Sequence, residues 1–491
     1  MSDGARRIFA NTMYRGLADI GSKIATTVLF VVMARKLGQS QFGVFTFGLS
    51  FVALVAVLAD FGQNTVLTRD VARKKSEIDR HFINNIGLKL LLAVPTLAVA
   101  IVFISSTSGA QTRNVVALLG VAVVAELLRG TCFAVFEAHE RLGFIPVVMI
   151  TQRFLTTIVG IVALYKGASV VAVSAIYLGG AVVSFWVALG LMFWRVARPR
   201  LTLNMRSWWP LMREAIPIGL AGAFGTVLFR VDTAMLALFK PKRVVGNYGA
   251  AYRLFEATLF IGWSLGAAVY PVFSRLTPQT SPPVSAVFER AIKFALFLTV
   301  PLGIGAAILA EPVIHLFYGS SYDQAVNALR LLGPAIPFYP VAFLAGLLLV
   351  ARNRQRVLTI SMGLVAIENI VGNLVLIPRL SLDGAALGTS VSQVIVTVPL
   401  LVYSGRACGG LQWTRMFAGP LIAGAACAAA MGALVSIPLV AIAAGAIVYL
   451  AAFVAFEHRV YPDDARGALS LLRRRPAIEP PLPEPDLQRI P

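Results

Sequence analysis

Two stretches of the sequence decide the fold: residues 36–69, "KLGQSQFGVFTFGLSFVALVAVLADFGQNTVLTR", and residues 240–275, "KPKRVVGNYGAAYRLFEATLFIGWSLGAAVYPVFSR". Each begins with a short basic turn, enters an apolar segment on an aromatic residue and ends on an arginine. Gly43 aligns with Gly246 at an offset of 203 residues, and an aromatic residue follows two positions later in both stretches. This correspondence predicts that the chain consists of two repeated halves.

The composition indicates an integral membrane protein. Of the 491 residues, 58% are hydrophobic and only 13% are charged, which is outside the range of soluble globular domains. The three cysteines and four histidines are scattered without metal-ligand or disulfide spacing, and no phosphate-binding glycine loop occurs. We therefore expect no metal and no cofactor. No basic run is interleaved with aromatic residues, so the net charge of +20 does not indicate nucleic-acid binding.

A helix needs about 20 mostly apolar residues to cross the hydrocarbon core of a bilayer. The sequence offers about fourteen such segments and predicts an all-α fold. They lie near residues 14–35, 42–60, 83–105, 114–136, 144–164, 168–193, 212–239, 246–272, 288–310, 331–350, 357–377, 384–404, 417–436 and 438–456.

A second repeat, between residues 167–185 and 384–403, has an offset of 217 residues, so each half consists of about six helices. An even number of helices keeps the same sidedness in both halves, so the repeat is parallel and its pseudo-two-fold axis runs along the membrane normal. Two such bundles enclose a cavity near the midplane. The predicted organisation is an N-lobe (1–193), a cytoplasmic linker (194–211), a C-lobe (212–405), two further helices (406–456) and a Pro-rich cytoplasmic tail that we expect to be disordered (457–491).

The distribution of basic residues predicts the orientation. With the N-terminus in the cytoplasm, the inner segments hold 28 Lys and Arg residues and the outer loops hold 9. Cytoplasmic loops of membrane proteins carry such an excess. We therefore expect both termini in the cytoplasm.

Leaving aside charges near the span ends, we count eleven intramembrane charged residues, and such residues are expected to face a bundle interior or a wet cavity. Three pairs share a helix face and could neutralise themselves, because their members are three or four residues apart. The pairs are Asp19 with Lys23, Glu126 with Arg129, and Arg253 with Glu256.

Lys89, Arg153 and Arg230 have no acidic partner on the same face of their own helices, and Arg230 and Asp232 point about 200° apart. We expect these three cations to line a cavity; the alternative is pairing across helices with Asp232 or Glu368. Arginine binds phosphate oxygens bidentately. The candidate substrate-binding residues are Lys23, Lys89, Arg129, Arg153, Arg230 and Arg253, and the candidate coupling carboxylates are Glu126, Asp232, Glu256 and Glu368.

Five segments together carry a family resemblance: "LADFGQNTVLTRDVAR", "RVDTAMLALFKPKRVVGNYGAAYRLFE", "AAVYPVFSRL", "FYGSSYDQAVNALRLL" and "NLVLIPRLSLDGAALGTS". The chain resembles the polysaccharide and O-antigen flippases of the multidrug/oligosaccharidyl-lipid/polysaccharide exporter superfamily over most of residues 8–405. The resemblance implies a two-lobed transporter that moves polyprenyl-diphosphate-linked sugars to the outer leaflet of the cytoplasmic membrane. It also implies membrane lipids, and the polysaccharide polymerase machinery, as partners.

Two other functions are alternatives. A multidrug or organic-cation antiporter on the same scaffold would favour aromatic and acidic cavity residues over arginines. A membrane glycosyltransferase or polymerase would need a sizeable outer loop with catalytic groups. No predicted outer loop exceeds about 20 residues, so we expect a transporter and not an enzyme.

Overall fold

The computed structural model describes residues 3–200 and 202–462, with side chains from Gly21 onward. Seventeen α-helices and no strand occur in this part of the chain. The helices are α1 (Asp3–Asp60), α2 (Gln63–Arg73), α3 (Ile78–Thr107), α4 (Ala110–Ala138), α5 (Phe144–Tyr165), α6 (Val170–Arg195), α7 (Trp208–Phe239), α8 (Lys242–Thr258), α9 (Phe260–Arg275), α10 (Val284–Ile308), α11 (Ala310–Tyr318), α12 (Gln324–Leu332), α13 (Ala335–Ala351), α14 (Gln355–Leu380), α15 (Leu382–Cys408), α16 (Trp413–Ala433) and α17 (Pro438–Val460).

The helices confirm a multi-pass membrane protein. Among the described residues, 12 helices are long and apolar enough to cross a bilayer, and α12 with α13, a pair bent by 40°, meets the same criterion when the two are taken together. The first of these, Gly21–Asp60, has 40 residues, twice the length that one crossing requires. Gly38 interrupts it with φ 73° and ψ 172°, a conformation that only glycine adopts readily, so α1 is two helices across a kink. Counting both gives the predicted number of about fourteen.

The predicted spans are correct in place and short at several ends. The last helix continues to Val460, so the start of the predicted tail at 457 is wrong, because Glu457 is buried in that helix. The remainder of the tail, from residue 463, lies outside the described residues. The same holds for the predicted pairing of Asp19, whose side chain is not described.

The repeat is visible where α1 crosses α8. A Cβ atom on Gly43 would lie 1.8 Å from the Lys242 carbonyl oxygen, and one on Gly246 would lie 2.0 Å from the Gln39 carbonyl oxygen. Lys242 follows Gln39 at the same offset of 203 residues that relates the two glycines. Two equivalent contacts of this kind are expected for residues beside a two-fold axis. The aligned glycines are thus the point at which the two halves meet.

A large buried cluster surrounds this crossing and includes Phe42, Phe45, Tyr248 and Phe255, each no more than 1% exposed. The aromatic side chains fill the space that the glycines leave around the close backbone contact. In the second half, α16 packs against α10 and α17, and the Lys293 ammonium lies 2.9 Å from the Glu457 carboxylate. This buried pair joins the last helix to the preceding lobe.

Candidate functional site

A cavity of about 580 Å³ lies between the two halves, within the range of small-molecule binding sites. It is bounded by α1, α4, α5 and α6 on one side and by α7, α8 and α9 on the other. The Gly43–Gly246 crossing is close to one end. At the other end Arg69 of α2 lies 2.5 Å from Glu214 of α7. The two halves therefore contact each other in both directions along the helices from the cavity, which itself is open to water.

Four cationic side chains line the cavity: Lys23, Arg153, Arg230 and Arg253. They come from four different helices, α1, α5, α7 and α8, so only the tertiary fold brings them together. The cavity-lining positions predicted for Arg153 and Arg230 are confirmed.

Two carboxylates, Glu126 and Glu256, also line this cavity. Among the side chains that the structure describes, from Gly21 onward, four cations and two carboxylates leave two net positive charges on the wall. Charge in a membrane interior must be paired, solvated or matched by a ligand. This site therefore has the electrostatics to attract an anion.

Glu256 is shared by two arginines. Its Oε1 accepts a hydrogen bond of 2.9 Å from Arg230, and its Oε2 pairs with Arg253. The predicted pairing of Arg253 with Glu256 on one helix face is confirmed. Arg230 also pairs across helices, with Glu256 and not with Asp232 or Glu368. The Arg253 guanidinium stands 3.9 Å over the Phe30 ring, a cation–π contact that orients it.

Glu126 and Arg129 do not form the predicted direct pair. Gln152 of the neighbouring helix lies between them: its amide donates to Glu126 at 2.7 Å, and its carbonyl accepts from Arg129. Arg129 also donates to Ser184 at 3.0 Å and does not line the cavity. The helix spacing puts both charges on one face, but the Gln152 side chain of α5 forms a hydrogen bond with each of them in place of a direct ion pair. Tyr177 donates a further hydrogen bond of 3.3 Å to Glu126.

The cavity position predicted for Lys89 is wrong. Its ammonium is 1% exposed, lies 2.9 Å from the Asp60 carboxylate and donates to Asn64 and Thr131. Asp60 is the last residue of both α1 and the predicted span 42–60, so the sequence does not mark it as an intramembrane acid. Lys89 is therefore a structural cation that ties α3 to the end of α1.

Asp232 and Glu368 lie outside the cavity, at the two ends of one hydrogen-bonded chain. Asp232 is 1% exposed and accepts from Asn373 at 2.6 Å and from Thr389. Asn373 donates to Asn369 as well, and the chain continues through Ser392 to Glu368. These two coupling candidates are connected through polar side chains of α14 and α15.

Aromatic side chains are the part of the cavity wall that sequence reasoning missed. Phe30, Tyr177, Phe260 and Trp263 all line it. A census of charged residues does not find them, and each lies in a segment where aromatic residues are also expected for packing. Their arrangement beside the cations depends on helix rotation, which the sequence does not show.

Comparisons with known proteins agree with this architecture. A family model described as polysaccharide biosynthesis protein matches residues 8–277, more than half of the chain, and one described as lipid II flippase MurJ matches residues 147–460. The probable low-salt glycan biosynthesis flippase Agl15 of Haloferax volcanii is 22% identical over 366 residues, which cover 74% of this chain and 76% of that protein.

Solved structures show the same fold. Lipid II flippase MurJ in an inward closed conformation superposes with a TM-score of 0.76 at 15% identity, over 91% of this chain and 99% of that one. An inward-facing multidrug resistance MATE family transporter of the MOP superfamily gives a TM-score of 0.62 at 15% identity, over 80% and 95%.

The fold and the cavity between its repeated halves define a membrane transporter of two helical lobes. Within that class, the chain belongs to the polysaccharide biosynthesis protein family. The resemblance read from the five sequence segments is thereby confirmed.

Proposed function

We propose that this protein is a flippase that moves a polyprenyl-diphosphate-linked oligosaccharide across the cytoplasmic membrane for cell-surface polysaccharide synthesis. The observation that carries this proposal is the convergence of Lys23, Arg153, Arg230 and Arg253 on one cavity between the lobes. A diphosphate carries several negative charges and hydrogen-bond acceptors. Arginine offers it a planar fork of donors, and hydrogen bonds between charged groups are the stronger ones.

The cavity charge favours this substrate over an organic cation. Two net positive charges on the wall would repel a cationic drug, whereas the MATE-like fold by itself is compatible with either ligand. The relative from Haloferax volcanii bears the name of a glycan flippase, which supports a lipid-linked sugar. Flipping moves the headgroup without a covalent step, so the protein acts as a transporter and not as an enzyme.

The excess of basic residues in alternate loops supports a cytoplasmic location of both termini in the inner membrane. In this orientation the Gly43–Gly246 crossing would lie on the outer side and the Arg69–Glu214 pair on the inner side, so we propose these two contacts as the outer and inner closures. Transport then requires the two ends to part alternately. Membrane lipids surround the bundle, and the polysaccharide polymerase machinery is the partner that would receive the product outside.

Orientation can be tested by labelling of single cysteines with an impermeant thiol reagent in intact cells. We expect labelling for Gly109→Cys and Ser320→Cys and none for Ser76→Cys and Arg354→Cys. Labelling of Ser76→Cys in sealed cells would reverse the orientation.

Binding can be tested on the purified full chain by native mass spectrometry with undecaprenyl diphosphate. Arg153 and Arg129 are a matched pair, because both are intramembrane arginines of the first half but only Arg153 lines the cavity. We expect Arg153→Gln to weaken binding about tenfold or more, since a charge-assisted hydrogen bond is worth about 1.5–3 kcal/mol. Arg129→Gln should leave the affinity unchanged. Equal effects of the two substitutions would exclude the cavity as the diphosphate site.

A further inference from the structure

We propose that Trp263 is the binding platform for the sugar that is attached directly to the diphosphate. This inference rests on the proposed function and adds the part of the cavity that recognises the glycan. Trp263 lies on α9, lines the cavity and is 39% exposed. Part of the indole is therefore accessible, and the Lys23 ammonium lies over one face of the ring.

A hydrogen bond to α13 fixes the orientation of the indole. Its Nε1–H donates a hydrogen bond of 2.6 Å to the Tyr339 hydroxyl. Tyr339 is 7% exposed, stacks on Phe343 and packs edge-on against Phe229. Because the only polar atom of the indole is already satisfied, what it presents to the cavity is its apolar π surface. A fixed aromatic ring also costs a ligand little conformational entropy to bind.

Charge and hydroxyl groups adjoin this surface. The Lys23 ammonium lies 4.5 Å from the centroid of the Trp263 ring, and Ser264, the next residue along the helix, also lines the cavity. A phosphate that binds Lys23 places the sugar bonded to it next to the indole. A pyranose offers a face of C–H groups, which complements the negative π face of an aromatic ring, and a rim of hydroxyls that Ser264 can bind.

An interfacial anchoring role does not account for this tryptophan. Trp186 and Trp194 on α6 are 62% and 65% exposed and do not line the cavity, so they face outward from the bundle. Trp263 differs because its N–H is bound to a buried tyrosine of α13 and a cation stands over its ring. These contacts hold Trp263 at the cavity wall beside Lys23.

The test compares two ligands on each variant of the purified full chain by native mass spectrometry. The ligands are undecaprenyl diphosphate and the same lipid carrying one hexose, and the readout is the ratio of their affinities. We expect the wild type to bind the hexose-bearing lipid about tenfold tighter. Trp263→Ala should abolish this ratio while it keeps the affinity for undecaprenyl diphosphate.

Further variants separate recognition from folding. Trp263→Phe keeps an aromatic face and should retain part of the ratio, and Tyr339→Phe, which frees the indole, should lower it. Trp186→Ala is the control and should not change it. The proposal that Trp263 binds the sugar is overturned if Trp263→Ala keeps the wild-type affinity ratio. It is also overturned if the wild type binds the two lipids equally. Failure of the wild type to bind either lipid overturns the proposed function itself, and these results are distinguishable.

Discussion

Because Glu256 is shared by two arginines, the three charges should respond unequally to substitution. Glu256→Gln leaves the Arg230 and Arg253 guanidiniums without a carboxylate partner. Arg230→Ala leaves Glu256 still paired with Arg253. We therefore expect the glutamate variant to lose more stability, although each substitution removes one charge from the same cluster.

The size of the effect follows from burial. Breaking a fully buried ion pair by removing one partner costs about 3–5 kcal/mol. The side chains of Arg230, Glu256 and Arg253 are 24%, 16% and 11% exposed and border a cavity that water can enter, so we discount this value by about half. Glu256→Gln should then cost roughly 2 kcal/mol of unfolding free energy and Arg230→Ala roughly 1 kcal/mol.

Thermal unfolding in detergent, binding of undecaprenyl diphosphate and flipping in liposomes should be measured on the same preparations. Arg230→Ala should fold and lose flipping, and Arg230→Lys should restore it only in part, because Lys keeps the charge and loses the planar fork. Glu256→Gln should be less stable yet bind the anion at least as tightly, since the net cavity charge rises by one.

A double-mutant cycle provides the control. In the Glu256→Gln background, Arg230→Ala removes a charge that is already unpaired, so it should cost less stability than in the wild type. If Arg230→Ala destabilises as much as Glu256→Gln and leaves both affinity and flipping unchanged, Arg230 is only a structural partner and the diphosphate site is refuted.

Three further predictions concern other parts of the molecule. Gly246→Ala would place a Cβ atom 2.0 Å from the Gln39 carbonyl oxygen, about 1 Å short of the closest real contacts, so the outer end should open. The yield of cross-linking between cysteines introduced at Gln39 and Arg243 should then fall, and the flipping rate should fall as well. An unchanged yield would contradict the role of this crossing in closing the outer end. Lys89→Met removes an ion pair of which only the Lys89 side is buried, so it should cost about 1–2 kcal/mol of unfolding free energy without a change in ligand affinity. A tenfold weaker affinity would show that Lys89 belongs to the binding site. Asp232→Asn should preserve folding, because the amide oxygen still accepts from Asn373 and the amide nitrogen can donate to the Thr389 hydroxyl. It should abolish any response of flipping to an imposed pH gradient; a variant that responds like the wild type would show that Asp232 is not a coupling group.

The sequence by itself determined the membrane-spanning helices, the internal repeat and the pairing of charges within one helix. Apolar segments of sufficient length predict the spans, because the bilayer thickness fixes how many helical residues a crossing needs. The offset of 203 residues between Gly43 and Gly246 predicts the repeat, and the structure places these two glycines at the contact between the halves. Pairing within a helix was also predictable in the case of Arg253 and Glu256, since helical periodicity places residues three apart on one face.

Only the tertiary structure decided which charges face the cavity and which are neutralised elsewhere. Lys89 and Arg153 looked equivalent in the sequence, because each lacked an acid on its own helix face. Packing brings Asp60 to Lys89, whereas Arg153 opens onto the cavity. The partner of a charge on another helix depends on how far each helix is rotated and shifted against its neighbours. Those quantities follow from the packing of many side chains and not from the spacing of residues within one segment.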